Sequence, residues 1–316
     1  MTLLREDTRT GLPAASTTGR RPSGGVRRPD GWWPLLFLLP LVSGIGVFYI
    51  WPILQTVYFS FMEFGVFGGM TWTGLDNYLR LIQDPEFYLA LRNTLVYTAI
   101  VILGIPIGIY LASLINRPGL RFASVYRALF FLPFISLPVA ISLIWRAMYN
   151  GDFGVFNYGL SLIGIDGPYW LSTEGLALVS VSIFGLWGSL GFAIIILGAG
   201  LKNIPVDLYE AAELDGATPW RQFLSITVPL LSPSIFFVTI VTVIGSFQLF
   251  DALYAMLGPT SSVLPETQSL IFYFYSAGFI DNDKGFAAAI ALAILVIVGL
   301  VTVLQFRFQR RWVNYE

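Results

Sequence analysis

Long uninterrupted runs of apolar residues constrain this chain more than any other feature of its sequence. A helix that crosses the hydrocarbon core of a bilayer needs about 20 predominantly apolar residues. Each such segment must be helical, because lipid offers no partner to an open backbone group and no barrel-like alternation is present. The sequence therefore predicts an all-α integral membrane protein with six transmembrane helices. Their approximate bounds are residues 33–61, 93–115, 126–148, 175–201, 226–250 and 286–306.

The composition agrees with a membrane protein and argues against several kinds of catalytic site. Only 12% of the 316 residues are charged and 56% are hydrophobic, whereas about 25% of the residues in a soluble domain are charged. The chain has no cysteine and no histidine. Disulfides and thiolate metal sites are therefore excluded, and the commonest metal ligand and general base is missing. We expect no catalytic residue, no metal site and no cofactor bound by this chain.

The first 30 residues differ from the rest of the chain. They are rich in Arg, Thr, Ser, Gly and Pro, and they lack the apolar face that a folded segment would bury. The apolar block that follows is too long for a signal peptide and has no small-residue cleavage site. The sequence predicts a disordered cytoplasmic tail over residues 1–30 and one six-span transmembrane domain over residues 31–316. Tryptophans near the span ends are expected to be interfacial anchors: Trp32, Trp33, Trp51, Trp170 and Trp312.

Basic residues are divided unequally between the two sides of the predicted membrane domain. Fourteen of the 18 Lys and Arg residues fall on the side of the two termini. Because basic loops favour the cytoplasm, both termini are predicted to be cytoplasmic, which fits an even number of spans. The larger group is Arg5, Arg9, Arg20, Arg21, Arg27, Arg28, Arg117, Arg121, Arg127, Lys202, Arg221, Arg307, Arg310 and Arg311, and the smaller group is Arg80, Arg92, Arg146 and Lys284.

The segment between the predicted fourth and fifth spans, residues 203–229, has the pattern of two short helices. Pro205 suits the first turn of a helix and Gly216 suits its end. Thr218 and Pro219 suit the cap and the first position of a second helix that runs into the membrane. The acidic residues of this loop allow two interpretations. They form either a solvated surface or a docking surface for Arg and Lys side chains of a partner subunit.

The same loop carries a run that resembles a known family motif. Glu210-Ala-Ala-x-x-Asp215-Gly216-Ala217, followed by Phe223, Ile226 and Pro229, is similar to the EAA motif of importer permeases of the ATP-binding-cassette class. Further segments resemble the sugar-type branch related to the maltose and glycerol-phosphate permeases: Gly74-Leu-Asp-Asn-Tyr, Asn93-Thr-Leu-Val-Tyr, Phe131-Leu-Pro-Phe, Leu143-Ile-Trp, Ser246-Phe-Gln-x-Phe-Asp251 and Gly285-Phe-Ala-Ala-Ala. One departure follows Asp251, where the family often has a glycine-rich turn and this chain reads Leu257-Gly-Pro-Thr.

The resemblance implies a type I importer permease fold whose loop forms a coupling helix seated in a cleft of an ATPase subunit. The residues that match this role are Glu210, Ala211, Ala212, Asp215 and Gly216. It also implies two ATPase subunits that bind ATP-Mg, a second homologous permease, an external solute-binding protein, and import of a sugar through a bacterial plasma membrane. This chain has no phosphate-binding G-x-x-x-x-G-K-[ST] loop of its own. Membrane lipid is the other expected partner, and no nucleic acid is expected.

Polar residues near the outer end of the fifth span are candidates for the substrate pathway, because intramembrane polar groups tend to face a cavity or a neighbouring helix. In the maltose-type relatives this region lines the cavity, which assigns that role to Ser246 and Gln248. Helix packing is the alternative. Asp251 is expected to cap the span or to pair with Arg146. Four aromatic side chains are candidates for stacking on a sugar, with packing as the alternative for each: Trp145, Trp187, Phe247 and Phe250.

Two other functional classes remain to be weighed against a permease. An ion-coupled secondary transporter usually has carboxylates near the bilayer midplane and internal repeats, and neither is visible here. A membrane scaffold or intramembrane enzyme is disfavoured by the missing His and Cys and by the lack of a paired intramembrane Asp motif. The sequence leaves the solute open among oligosaccharides, monosaccharides and glycerol phosphate esters.

Overall fold

The computed structural model describes residues 33–65, 68–117 and 119–313. The predicted tail and Trp32 lie outside the described residues, as does the side chain of Trp312. The chain divides into two compact units, Met1–Pro52 and Ile53–Glu316. The described part of the first unit is helical. It comprises α1 (Trp33–Ile45), a π-helical segment (Gly46–Ile50) and the start of α2 (Trp51–Phe59).

The second unit is almost entirely helical. Its one sheet in the described residues is a short antiparallel hairpin, in which Met62 pairs with Trp72. The elements in chain order are β1 (Met62–Phe64), β2 (Met70–Trp72), α3 (Asp76–Gln83), α4 (Pro85–Ile102), α5 (Gly104–Ile115), α6 (Ala123–Ile135), α7 (Pro138–Met148), α8 (Val155–Ser161), α9 (Leu176–Leu201), α10 (Asp207–Leu214), α11 (Pro219–Gln222), a π-helical segment (Phe223–Thr227), α12 (Val228–Leu230), α13 (Ser232–Ser246), α14 (Asp251–Leu257), α15 (Leu264–Thr267), α16 (Leu270–Tyr275), a π-helical segment (Ser276–Ile280) and α17 (Lys284–Trp312).

The described residues contain four helices that are long and apolar enough to cross a membrane, and up to six if each of two bent helix pairs counts as one span. The α6–α7 pair bends by 100° and the pair formed by residues 219–230 and α13 bends by 67°. The predicted all-α membrane fold is confirmed, and the third and fifth predicted spans are sharply bent. The four unbroken stretches are Leu36–Phe59, Pro85–Ile115, Leu176–Leu201 and Lys284–Arg310.

The sharper bend has a local cause in the sequence. Proline crowds the backbone of the residue before it and pushes that residue out of the helical region. Leu137 accordingly has φ −62° and ψ 119°, and Pro138 begins the next helix, where its missing N–H is no loss. Ser136 is also extended, with ψ 158°. The apolar run alone could not show this break, because residues on both sides of it are equally hydrophobic.

Helix α9 lies at the centre of the second unit, in contact with α4, α5, α6, α13 and α14. Apolar side chains along the whole length of α9 are buried, among them Val181, Ile194 and Leu197. A helix that is apolar on all faces is suited to such a central position, since every face meets either another helix or lipid. The second unit is therefore organised around α9, which leads directly into the loop of interest.

Close helix contacts at glycine support this packing, as small residues let membrane helices approach. Gly108 lies against α9, since a Cβ there would be 3.0 Å from the Cβ of Ala193. A Cβ at Gly191 would overlap the carbonyl oxygen of Phe130 on α6. Gly188, one turn earlier on α9, has nothing within 4 Å of an added Cβ. Gly108 and Gly191 thus allow close contact between helices and Gly188 does not, although the three glycines look alike in the sequence.

At the end of the second unit opposite α10, polar contacts fasten the hairpin and α3 to the start of α17. Arg80 forms an ion pair with Asp283, with 2.6 Å between the Nη1 and Oδ2 atoms, and its guanidinium lies 3.9 Å from the centre of the Phe286 ring. The amide of Asn77 donates hydrogen bonds of 3.0 Å to the carbonyls of Ser60 and Met62. The final span is thereby fixed at this end to a segment more than 200 residues earlier in the chain.

We expect Gly191→Ala to destabilise the protein and Gly188→Ala to be neutral or slightly stabilising. The added methyl at position 191 overlaps the α6 backbone, and such overpacking costs about 1–3 kcal/mol. At position 188 the space is open, and alanine favours helix by about 0.5–1 kcal/mol over glycine. Thermal unfolding of the two variants in the same detergent measures the difference, and equal melting temperatures would contradict the α6–α9 contact.

Candidate functional site

The predicted loop between the fourth and fifth spans forms the helix–turn–helix that its sequence indicates. Helix α10 begins at Asp207 and ends at Leu214, and Gly216 has φ +75°. The N–H of Ala217 donates to the carbonyl of Ala212 at 2.9 Å, and the N–H of Gly216 donates to the carbonyl of Glu213 at 3.0 Å. This pair of bonds is a Schellman motif, which satisfies the last carbonyls of a helix when the following residue adopts the left-handed conformation.

The second helix restarts as the sequence predicts. The Thr218 hydroxyl accepts a hydrogen bond of 3.4 Å from the N–H of Arg221, and Pro219 occupies the first turn. The chain then runs through the π-helical segment and α12 into α13 without an extended break. Helix α10 is thus joined to the fifth span by one tight turn and a nearly continuous helical path.

The two faces of α10 differ in exposure. Residues at helical spacing form an outward face of Asp207, Glu210, Ala211 and Leu214, all of them exposed. Leu214 is 91% exposed. Ala212 faces the other way and is half-buried. The outward face of α10 therefore combines carboxylates with the exposed apolar side chain of Leu214. Ala211 and Ala212, although adjacent in sequence, lie on different faces.

Leu214 is a candidate site residue that the sequence analysis missed. Its apolar character fits an ordinary core position, and the motif resemblance does not include it. The available signal was its spacing, since it lies four residues after Glu210 and seven after Asp207 and so shares their face. Because Leu214 is almost fully exposed on this face, a partner that docks there would contact it.

Helix α10 is anchored to the start of the fifth span by a side-chain hydrogen bond. The Tyr209 hydroxyl and the Thr227 hydroxyl are 2.9 Å apart. Thr227 is only 5% exposed and Tyr209 is half-buried. The ring of Trp220 stacks on that of Phe223 at 5.6 Å between centroids, beside the same junction. A displacement of α10 would therefore act on the residues that begin the bent fifth span.

The two predicted pathway residues lie where α13 ends. Ser246 is 3% exposed and its hydroxyl donates to the carbonyl of Thr242 at 2.8 Å, within its own helix. Gln248 is exposed, and its backbone N–H donates to the carbonyl of Gly245 at 3.0 Å. The role of both residues in a pathway stays a prediction, but only Gln248 offers its side chain to a solute in this conformation.

Asp251 and Arg146 do not form the ion pair that the sequence analysis suggested. Asp251 begins α14, and Arg146 lies at the other end of that helix, where its guanidinium donates to the carbonyl of Ala255 at 3.5 Å. The two charges therefore sit at opposite ends of α14, the acid at the positive end of the helix dipole and the base at the negative end. Of the two alternatives for Asp251, the pairing with Arg146 is wrong, because the span ends at Ser246 and the chain restarts as a separate helix with Asp251 in its first turn.

The four candidate aromatic residues divide into packed and partly accessible groups. Phe247 is 1% exposed and belongs to the core. Trp145 and Trp187 are half-buried and pack on each other, with 5.1 Å between ring centroids. Phe250 is half-buried and stacks on Tyr254 at 5.6 Å with an angle of 20° between the rings. Phe250 and the two tryptophans are all half-buried and packed against the core, and contact of these rings with a solute stays a prediction.

Comparison with known proteins decides the family. The family model described as "Binding-protein-dependent transport system inner membrane component" matches residues 104–314. This range includes α5 to α17 and with them the whole α10 loop. The chain belongs to this family. It is a multi-pass membrane protein, and the predicted importer-permease class is confirmed.

Individual relatives agree over nearly the whole chain. The lactose transport system permease protein LacF of Rhizobium radiobacter is 34% identical over 92% of this chain and 97% of its own length. The sn-glycerol-3-phosphate transport system permease protein UgpA of Yersinia pestis is 30% identical over 90% of this chain and 96% of its own. These matches confirm the resemblance to the sugar-type branch, and they give no support to an ion-coupled carrier.

A solved structure confirms the fold. A chain of a bacterial ABC transporter involved in the import of the acidic polysaccharide alginate superposes with a TM-score of 0.79, at 24% identity. The match covers 90% of this chain and 96% of that one. The chain therefore has the fold of an importer permease, as the sequence predicts.

We expect Tyr209→Phe to loosen α10 without unfolding the membrane domain. The substitution removes the hydroxyl that bonds to Thr227, and a hydrogen bond of this kind contributes about 0.5–1.5 kcal/mol. Amide hydrogen exchange of residues 207–214 should accelerate about fivefold, in keeping with that energy. Thr227→Ser keeps a hydroxyl at the same place and serves as the control. Equal acceleration in both variants, or in neither, would contradict the anchoring role of this bond.

Proposed function

We propose that this chain is the membrane subunit of a carbohydrate importer that separate ATPase subunits drive through α10. The observation that carries the proposal is the geometry of α10, which is exposed on its outward face and hydrogen-bonded to the fifth span on its inner face. The matching motif residues are Glu210, Ala211, Ala212, Asp215 and Gly216. Carboxylates on the outward face suit Arg and Lys side chains of a partner, and Leu214 suits an apolar pocket.

The proposed mechanism is alternating access powered by the partner. Two ATPase subunits bind and hydrolyse ATP-Mg, and their closure moves α10. The rigid Schellman turn at Gly216 and the Tyr209–Thr227 bond pass this motion to the bent fifth span. The membrane domain then changes from inward-facing to outward-facing, which is a shift between two conformations that the partner favours unequally.

The remaining partners follow from the family. The family description itself names a binding-protein-dependent system, which supports an extracytoplasmic solute-binding protein. A solved alginate transporter of similar fold is described in complex with an alginate pentasaccharide-bound periplasmic protein. A second homologous permease completes the proposed membrane domain. Both termini and α10 are placed in the cytoplasm, because fourteen of the 18 basic residues lie on that side.

A sugar is the proposed cargo. Relatives are named for lactose, arabinooligosaccharides and sn-glycerol-3-phosphate. Arg146 lies near the C-terminal end of α14, where its guanidinium donates to the Ala255 carbonyl at 3.5 Å. An exposed amide at Gln248 and a partly exposed ring at Phe250 suit a neutral sugar, whose hydroxyls bond to amides and whose apolar face stacks on aromatic rings.

We expect Leu214→Asp to weaken docking of the ATPase. Burying an unpaired carboxylate in the interface costs about 2 kcal/mol or more, so retention of the ATPase during purification should fall at least about tenfold. Leu162→Asp is the matched control, since Leu162 is also strongly exposed, at 69%, but lies in the loop after α8. ATPase retention and binding-protein-stimulated ATP turnover in nanodiscs are the measurements. Normal coupling in the Leu214 variant would overturn the proposed role of α10.

We expect Gln248→Ala to raise the transport KM for the sugar about tenfold, because it removes amide hydrogen bonds worth about 0.5–1.5 kcal/mol each. Ser246→Ala should change the KM less than about twofold, since that hydroxyl is buried and bonded within its helix. Uptake kinetics in proteoliposomes containing the whole transporter give both values. A larger effect at Ser246 would show that α13 opens during transport and that the buried position lines the pathway.

A further inference from the structure

A cavity of about 490 Å³ lies where α5 and α9 end and α6 begins, beside the start of the α10 loop. Its polar lining consists of Arg127, Lys202, Asn116 and Asn203, and its apolar lining includes Phe131 and Ile194. The lining contains two cationic side chains and no carboxylate. The candidate coupling and pathway residues are not among those that line it.

The cationic side of the cavity is held in place by hydrogen bonds. One terminal nitrogen of the half-buried Arg127 donates to the side-chain oxygen of Asn116 at 3.2 Å. The amide nitrogen of Asn116 in turn donates to the carbonyl of Ala112 at 2.8 Å. A guanidinium has five N–H donors, so Arg127 retains donors beyond this bond. Within the described residues, neither Arg127 nor Lys202 forms an ion pair.

The sequence around the cavity indicates that it lies at the depth of the lipid headgroups. Helix α5 ends at Ile115 and α9 ends at Leu201, and both are apolar up to these residues. The change from apolar helix to basic loop marks the boundary between hydrocarbon and headgroup layer. Basic pockets between membrane helices at this level bind anionic headgroups.

An apolar track continues from the cationic end of the cavity toward the membrane interior. On α6, Phe131 and Phe134 stack at 5.5 Å between centroids, and Phe134 stacks on Phe192 of α9 at 5.3 Å. Phe134 is 49% exposed and Ile135 is 62% exposed. These residues form an exposed apolar surface along the α6–α9 seam, against which a hydrocarbon chain can pack. A soluble phosphate compound has no such chain.

From this charge, depth and apolar continuation we propose that the cavity binds the phosphate of an anionic phospholipid, whose acyl chain lies along the α6–α9 seam. Arg127 and Lys202 bind the phosphate, and Asn116 positions Arg127. Glycine at position 198 keeps the site open, because a Cβ there would lie 2.9 Å from the amide nitrogen of Asn116. The site adjoins the α10 loop, so lipid composition is expected to affect the junction that the ATPase acts on. The proposal rests on the membrane location and is independent of the cargo.

The test compares the full-length chain with two double variants in detergent and in nanodiscs. Arg127→Gln with Lys202→Gln removes the charges of the cavity. Arg117→Gln with Arg121→Gln removes the same charge at the same end of the bundle from residues that do not line it. Native mass spectrometry counts the phosphatidylglycerol retained per chain, and phosphatidylcholine and inorganic phosphate serve as competing probes. Lys202→Gln alone keeps the Arg127–Asn116 bond intact and guards against a folding defect.

We expect the Arg127→Gln, Lys202→Gln variant to lose one tightly bound phosphatidylglycerol, which binds about tenfold more weakly. The Arg117→Gln, Arg121→Gln control should lose none. Lys202→Gln should weaken binding by an intermediate factor. Equal retention in all variants, or equal loss in the Arg117 and Arg121 control, would overturn the proposal. Displacement of the bound lipid by millimolar inorganic phosphate would overturn the lipid as the ligand and indicate a soluble phosphate compound. Equal retention of phosphatidylcholine would show that charge does not select the lipid.

Discussion

A peptide group inside hydrocarbon must find its hydrogen-bond partner within the protein, and most of this architecture follows from that requirement. Long apolar segments form helices because a helix makes all of its backbone hydrogen bonds within one segment. The interruptions at Leu137 and Leu231 occur one or two residues before a proline, and helix resumes at once after each. The two bent pairs are therefore helical almost throughout, although they change direction by 100° and 67°.

Hydrogen bonding of the backbone groups also makes the α10 loop rigid. At the turn, the N–H groups of Gly216 and Ala217 bond to carbonyls of the last turn of α10. Thr218 then caps the next helix. A stiff element of this kind can transmit a displacement, whereas a flexible loop would absorb it. The Tyr209–Thr227 bond adds a side-chain link between the exposed helix and the membrane domain. Docking surface and membrane domain are consequently one mechanical unit in the proposed mechanism.

The basic residues at the two ends of the second unit have different partners. At one end Arg80 joins Asp283 and ties distant segments together, and Arg146 neutralises the C-terminal end of α14. At the other end Arg127 and Lys202 line a cavity without a carboxylate. Arg80 is paired with a carboxylate, whereas Arg127 and Lys202 form no ion pair within the described residues. The distinction depends on partners, which the positions of basic residues along the chain do not reveal.

The sequence by itself determined the membrane class, the approximate spans, the helix–turn–helix at residues 203–229 and, through its motif, the permease family. Those features depend on local composition and on caps such as Thr218 and Gly216, which act within a few residues. Only the tertiary structure decided that Gly191 needs its glycine and Gly188 does not, that Ser246 is buried and Gln248 exposed, and that Arg146 lies apart from Asp251. It also revealed the exposure of Leu214 and the cavity at Arg127. These depend on which helices meet and at what angle, and that is set by packing between segments far apart in the chain.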